Sequence, residues 1–173
     1  MYKVQRNEKK VDELSKSHPL EKIVKISVII GILIVSGFII YYILTPEPGF
    51  VIFGLLNSEK RAENYPIEAN VGENISFYVS VQNYLNRDFT FKVEILTGDN
   101  NTILSPTEPA KNATSYYNSS QFTLKHSEGW ISNMLNVSFS LPGANQRIIV
   151  ELWEISDIEK YFDFLFLWLN ITT

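Results

Sequence analysis

The sequence predicts an all-β fold: an immunoglobulin-like β-sandwich ectodomain of about seven strands, carried on a single N-terminal transmembrane helix. Three observations predict it. Residues 26–44 contain no charged side chain, apolar and polar residues alternate with period two after that segment, and the same region is rich in Asn-x-Ser/Thr sequons. The chain has 173 residues and no cysteine. An outer domain of about 120 residues can bury an adequate core without disulfides.

The apolar segment Ile26–Leu44 is interpreted as a membrane anchor. At about 1.5 Å per residue, a helix of this length just crosses a hydrocarbon core of roughly 30 Å. A soluble helix this long normally keeps a polar face, and this segment is apolar on every side. Thr45-Pro46 is expected to end the helix. Ser27 and Gly31 form a small-xxx-small pair, which makes them a candidate helix–helix contact.

Charges on either side of the anchor predict its orientation. Seven basic and four acidic residues precede it, whereas eight basic and fifteen acidic residues follow it. The positive-inside bias predicts a cytoplasmic tail at 1–25, a juxtamembrane linker at 45–49 and an extracytoplasmic sandwich at 50–173. A cleaved signal peptide fits less well, because the sequence after the apolar stretch lacks a small-x-small cleavage site. The expected localisation is the cell membrane, with a single pass.

The outer region is predicted to carry N-linked glycans, which are added outside the cytoplasm. The alternative is that a surface rich in Ser, Thr and Asn produces sequons that stay unused. The sequons, none with proline in the middle position, are at Asn74, Asn100, Asn112, Asn118, Asn136 and Asn170.

Strand predictions rest on alternation and on the turn residues between the candidates. Asn74 and Asn136 fall on the polar faces of their strands. Regular alternation occurs in Ile75–Val81, Phe89–Ile95 and Leu135–Leu141. Shorter or less regular candidates are Phe50–Leu56, Gln121–His126, Ile148–Ile155 and Phe164–Ile171.

No residue pattern points to catalysis, a cofactor or a metal. His126 is the only histidine of the outer region and is expected to be solvated, and no nucleophile-elbow or phosphate-loop motif occurs. A group of carboxylates near the last two strands is interpreted as a solvated acidic turn rather than a calcium loop. The acidic outer region also disfavours nucleic acid as a partner. These carboxylates are Glu151, Glu154, Asp157, Glu159 and Asp163.

The last predicted strand is apolar on both faces, which makes it the candidate partner surface. One face, formed by leucines and Ile171, suits the core. The other face then either lies under loops, which is the ordinary arrangement, or forms an exposed apolar patch of the kind that binds partners. The residues of this candidate surface are Phe164, Phe166 and Trp168, with Trp153 of the preceding strand as an extension.

Several segments resemble an archaeal family of uncharacterised membrane proteins, catalogued as domain of unknown function sixteen-sixteen. The resemblance covers most of residues 49–173 and implies an archaeal membrane and an outward-facing sandwich. It implies no activity and no functional residues. Many members carry several transmembrane helices before this domain, and this chain departs from them in having one. The segments are Gly49–Leu56, Ala62–Pro66, Val71–Asn74, Val79–Asn83, Ile148–Trp153 and Leu167–Ile171.

Two functions are therefore expected. The first is a non-catalytic accessory or structural subunit of a larger membrane or cell-envelope complex, with an integral-membrane or envelope protein as its partner. The alternative is a surface ligand- or carbohydrate-binding module with Trp130, Trp153 or Trp168 as a stacking platform. An enzyme is not expected, because metal ligands and a nucleophile–base pair are not recognisable.

Overall fold

The computed structural model describes residues 18–45 and 48–173, and the predicted tail segment 1–17 and the linker residues 46–47 lie outside the described residues. The chain divides into two compact units, of which the second is Pro48–Thr173.

The first unit contains helix α1, His18–Leu44. It starts eight residues before the uncharged segment, because Pro19 lies in the first turn, where the missing N–H loses no hydrogen bond. Lys25 Nζ pairs with Glu21 Oε1 at 2.7 Å within this charged start. The helix is long and apolar enough to cross a membrane. A helix with these properties and this position is either a membrane span or a signal sequence.

The second unit is all-β. Its strands are β1 (Val51–Leu56), β2 (Glu68–Asn70), β3 (Ile75–Asn83), β4 (Phe89–Gly98), β5 (Thr114–Asn118), β6 (Phe122–Leu124), β7 (Gly129–Ile131), β8 (Leu135–Val137), β9 (Gly143–Ile155) and β10 (Glu159–Thr172).

The strands form two packed sheets. The four-stranded sheet has the order β1-β3-β7, with β8 also paired to β3, and the six-stranded sheet has the order β2-β10-β9-β4-β5, with β6 also paired to β4. All pairs are antiparallel except β2 with β10, which is parallel. The core lies between the sheets, and its fully buried large side chains include Phe77, Phe89, Phe91, Ile148 and Leu152.

The predicted all-β sandwich is confirmed, and it has more strands than predicted. The three-residue strands β2 and β7 escaped sequence reasoning because a strand so short shows no measurable alternation. β5 escaped it because its side chains are exposed throughout. The predicted strand Leu135–Leu141 stops at Val137, and Leu141 is exposed.

Candidate interaction surface

The side chains of β10 alternate between the core and the outer face of the sheet. Leu167, Leu169 and Ile171 are buried in the core. Phe166 and Trp168 point the other way and remain 38% and 44% exposed. The expectation of a strand covered on both faces is therefore wrong for these two residues, and the outer face of β10 is an exposed apolar surface.

Three residues form an aromatic stripe along this face: Phe164, Phe166 and Trp168. The rings of Phe164 and Phe166 stack with centroids 6.0 Å apart. Phe166 and Trp168 meet edge to face at 5.7 Å. These are favourable aromatic geometries, so the stripe is a continuous row of contacting rings and not a set of isolated side chains.

The stripe also runs along an open sheet edge. β2 pairs with β10 only at Asn170–Thr172, and the Asn170 N–H donates to the Ile67 carbonyl on that side. Main-chain groups of alternate residues in a strand point to the same side, and the register with β9 is regular over residues 164–169. The main-chain groups of the three stripe residues therefore point toward the open edge, where residues 48–173 provide no further strand.

The two ends of the stripe are different. Before it, Phe162 and Asp163 form a bulge opposite Leu152, and Asp163 Oδ1 accepts a hydrogen bond from the Phe164 N–H at 2.8 Å. A bulge with a charge blunts a sheet edge. At the other end, the Arg147 guanidinium lies 4.0 Å from the centre of the Trp168 ring. Pairing with β2 begins at Asn170, so the unblocked edge extends from Phe164 to Trp168.

Trp153 shares the outer face but lies beyond the stripe. In the register it faces Tyr161, with ring centroids 5.6 Å apart, and Lys92 Nζ lies 5.4 Å from the centre of its ring. Its Nε1 is buried without a hydrogen-bond partner among the described residues. Of the four predicted surface residues, the structure joins three into one row and places the fourth at a half-buried position beside it.

A long connection covers the other half of this sheet face. We call residues Asp99–Lys111, which link β4 to β5, the strap. Its backbone is held by three outer-face side chains. The Arg147 Nη1 donates to the Thr102 carbonyl at 2.7 Å, the Tyr161 hydroxyl donates to the Ser105 carbonyl at 3.0 Å, and the Ala110 N–H donates to Glu151 Oε1 at 2.6 Å.

Glu151 is therefore not part of a solvated acidic turn, and this interpretation was wrong for it. Glu151 is only 1% exposed beneath the strap, and burial raises its pKa despite the hydrogen bond from Ala110. Of the neighbouring carboxylates, Glu154 pairs with Arg87 at 2.7 Å and Glu159 pairs with Lys92. Asp157 and Asp163 are exposed as expected.

Tyr161 titrates abnormally in the same region. Burial raises the pKa of its hydroxyl to about 12, and the nearby Glu151 and Asp163 carboxylates add to the rise. The hydroxyl therefore keeps its proton, which it donates to the strap. Arg147, Tyr161 and the strap were missed as parts of this surface, since the strand register and the hydrogen bonds to the strap join residues that are far apart in sequence.

Two other aromatic or histidine candidates lie elsewhere. Trp130 packs against Phe122 and Phe91, with ring centroids 4.6 and 5.5 Å away, so it is largely a core residue and not an exposed stacking platform. His126 is exposed, and its Nδ1 accepts a hydrogen bond from the Asn86 N–H at 3.2 Å. Among the described residues no group of three or more His, Asp or Glu side chains could hold a metal ion.

The six sequon asparagines are all exposed. One end of the sandwich contains the first residues of β3 and β9 and the last residues of β4 and β10, and we call it the far end. β1 begins at the other end of the sandwich, where Val51 pairs with Asn83. Asn118 lies midway along the sheet, opposite Glu94. The sequons at the far end are Asn74, Asn100, Asn112, Asn136 and Asn170.

The pair proposed for helix contact is also accessible. Ser27 and Gly31 are four residues apart on α1 and therefore share one face. Apart from the neighbouring backbone of the helix itself, no atom of the described residues lies within 4 Å of the position that a Cβ on Gly31 would occupy. A second helix could approach this backbone closely, and the contact itself stays a prediction.

No protein-family model matches the chain, and no curated protein matches its sequence. Solved structures are similar in architecture. The CARDB domain of the PF1109 protein from Pyrococcus furiosus, solved with di-metal ions, is 15% identical, with a TM-score of 0.47 over 74% of this chain and 97% of that domain.

Two further neighbours belong to other kinds of protein. A β-glucosidase from Listeria innocua is 11% identical with a TM-score of 0.46, over 72% of this chain but 16% of the enzyme. The C-terminal domain of wzt is 8% identical with a TM-score of 0.45, over 75% of this chain and 80% of that domain. At such identities these are similarities of architecture and not of function.

Proposed function

We propose that this chain is a non-catalytic accessory or structural subunit of a larger membrane or cell-envelope complex. In this proposal α1 is a single-pass anchor, the N-terminus is cytoplasmic, and the sandwich lies outside the cytoplasm and carries N-linked glycans. Membership of the archaeal family that the sequence resembles is part of the same proposal.

The observation that carries the proposal is the aromatic stripe on an open edge. Phe166 and Trp168 are exposed, although burying such a side chain would contribute about 1.5–3 kcal/mol. The main-chain groups of the same residues point to a side where no strand of the described residues pairs with β10. An open edge with apolar side chains binds another polypeptide by strand addition, with hydrogen bonds from the backbone and selectivity from the alternate side chains.

The distribution of sequons supports an outward-facing, partly shielded domain. Five of the six lie at the far end. Glycans there would leave the end where β1 begins, together with the edge along Phe164 and Phe166, accessible to other proteins. The excess of basic residues before α1 supports the proposed orientation.

The test compares Phe166→Ser with Tyr116→Ser, because Tyr116 is an aromatic residue of similar exposure that lies outside the stripe. Each variant and the unchanged chain are extracted in mild detergent from the native membranes and purified in parallel. The co-purifying proteins are quantified by mass spectrometry. A stoichiometric partner that is retained by Tyr116→Ser and lost from Phe166→Ser is expected. A clean monomer in every case would overturn the accessory-subunit proposal.

The anchoring and orientation have their own measurement. Treatment of the membrane-bound protein with an N-glycosidase is expected to lower its mass stepwise, and carbonate extraction is expected to leave it in the membrane. An unmodified, protease-protected sandwich inside sealed cells would contradict the orientation.

A carbohydrate-binding module is the second candidate, and Trp168 favours it. Its indole is half exposed, is held in place by Arg147, and lies on the same face as the polar Asn170. Stacking of a sugar ring on such a platform would be tested by glycan-array binding of the unchanged chain and of Trp168→Ala.

A further inference from the structure

Trp168 and Asn170 are neighbours on one strand face. They are two residues apart in β10, so both side chains leave the outer face, with Cα atoms about 6.5 Å apart. The Asn170 Oδ1 accepts a hydrogen bond from the Asn145 N–H at 3.2 Å. This contact orients the amide and leaves Nδ2, the atom to which a glycan is attached, without a hydrogen bond among the described residues.

The Trp168 indole is contacted by two neighbouring side chains and remains partly exposed. Arg147 lies over its ring at 4.0 Å and Phe166 contacts it edge to face, and 44% of the residue is still exposed. The C–H face of a sugar ring packs well on an indole, because both surfaces are flat and apolar and gain dispersion contacts. A sugar attached to Asn170 is already tethered beside this platform, which removes most of the entropic cost of association.

We propose that the first sugars of an N-glycan on Asn170 pack against the exposed indole of Trp168. This inference rests on the glycosylation proposed above. The Trp168 indole would then stack on a sugar of the chain's own glycan and not on a separate carbohydrate ligand. The glycan would cover the Trp168 end of the aromatic stripe and leave Phe164 and Phe166 for a protein partner.

The other sequons provide a comparison within the same molecule. Only Asn118 also has an aromatic residue two positions before it, Tyr116. There the strand is irregular, because Ser115 and Tyr117 face consecutive residues of β4 and Tyr116 forms the bulge. The Asn118 Nδ2 lies 3.3 Å from the Ser115 Oγ, so this side chain is directed toward Ser115. The residues two positions before the remaining sequons are Gly72, Gly98, Ala110 and Met134.

The experiment is a double-mutant cycle on the full-length chain, produced with N-glycosylation. It compares the unchanged protein, Asn170→Gln, Trp168→Ala and the double variant by urea unfolding. Glycopeptide mass spectrometry reports whether Asn170 is occupied. The same four chains made without N-glycosylation give the part of each stability change that does not depend on sugar. A second cycle, with Tyr116→Ala and Asn118→Gln, is the matched control.

Loss of the Asn170 glycan is expected to raise the unfolding equilibrium constant roughly two- to tenfold, the size of one aromatic contact. In the Trp168→Ala background the same loss should leave it unchanged, and the control cycle should show no coupling. An occupied Asn170 without coupling to Trp168 would overturn this inference and leave the proposed function standing. An unoccupied Asn170 would overturn the inference together with glycosylation at that site.

Discussion

The outer face of the six-stranded sheet has two adjacent rows of side chains, one on the central strand β9 and one on β10, that differ in how far they are buried. In the register Ile149 of β9 faces Phe166 of β10, and Glu151 faces Phe164. Ile149 is fully buried and Glu151 is 1% exposed, whereas Phe166 is 38% exposed. The strap is hydrogen-bonded to Arg147 and Glu151 of the β9 row and to Tyr161 of β10, and among the described residues it has no hydrogen bond to the stripe. Alternation along a strand therefore decides which face a side chain joins, and the loops and strands packed beside it decide whether that side chain is buried.

The largest expected effect is the difference in stability lost when a residue of each row is replaced by alanine. Ile149→Ala should cost about 2–5 kcal/mol, because it removes buried methyl groups and leaves a cavity under the strap. Its matched partner, Phe166→Ala, should cost about 1 kcal/mol or less, because its ring is already partly hydrated. Urea unfolding measures both, and equal losses would contradict the difference between the rows.

The next effect concerns what holds the strap. Glu151→Leu leaves the Ala110 N–H without its acceptor and should reduce the local stability of the strap by about 1–3 kcal/mol. Glu151→Gln keeps an acceptor oxygen and serves as the control. Amide hydrogen exchange at Ala110 provides the measurement, and unchanged protection in Glu151→Leu would show that the strap is held by other contacts.

The raised pKa of the Glu151 carboxyl predicts that the free energy of unfolding depends on pH. Burial raises its folded-state pKa above the ordinary 4.5, so the folded state keeps the proton to a higher pH than the unfolded state. The contribution of Glu151 to the free energy of unfolding is therefore complete below pH 4.5, and it is lost as the pH rises through the folded-state pKa. The free energy of unfolding of the unchanged protein, relative to Glu151→Gln, should therefore fall as the pH rises from 4.5. A difference that stays constant with pH would refute this.

The smallest effect is expected where the two rows meet. Arg147 donates to the strap and lies over Trp168 of the stripe. A cycle of Arg147→Lys and Trp168→Ala should give a coupling energy of about 0.5–1 kcal/mol, since a partly exposed cation–π contact has this strength and Lys lacks the planar group. Thermal unfolding of the four proteins measures it. Additive effects would mean that the two side chains are only neighbours.

Local patterns predicted much of this molecule. The uncharged run Ile26–Leu44 lies within a single helix, and the alternation at Ile75–Val81 and Phe89–Ile95 lies within strands whose apolar residues are buried. The division of β10 into an inner leucine face and an outer aromatic face was also readable, because a strand repeats every two residues whatever surrounds it. Such features depend only on residues close in sequence.

Features that depend on distant residues escaped sequence reasoning. Glu151 looked like one of several solvated carboxylates, since nothing near it in sequence indicates that Ala110 covers it. Trp130 looked as available as Trp168, yet it packs on Phe91 and Phe122. The sequence by itself determined the fold class, the apolar helix and the side of each strand residue, because these follow from local periodicity. Only the tertiary structure decided which side chains are covered, because cover comes from loops and strands brought together by long-range pairing.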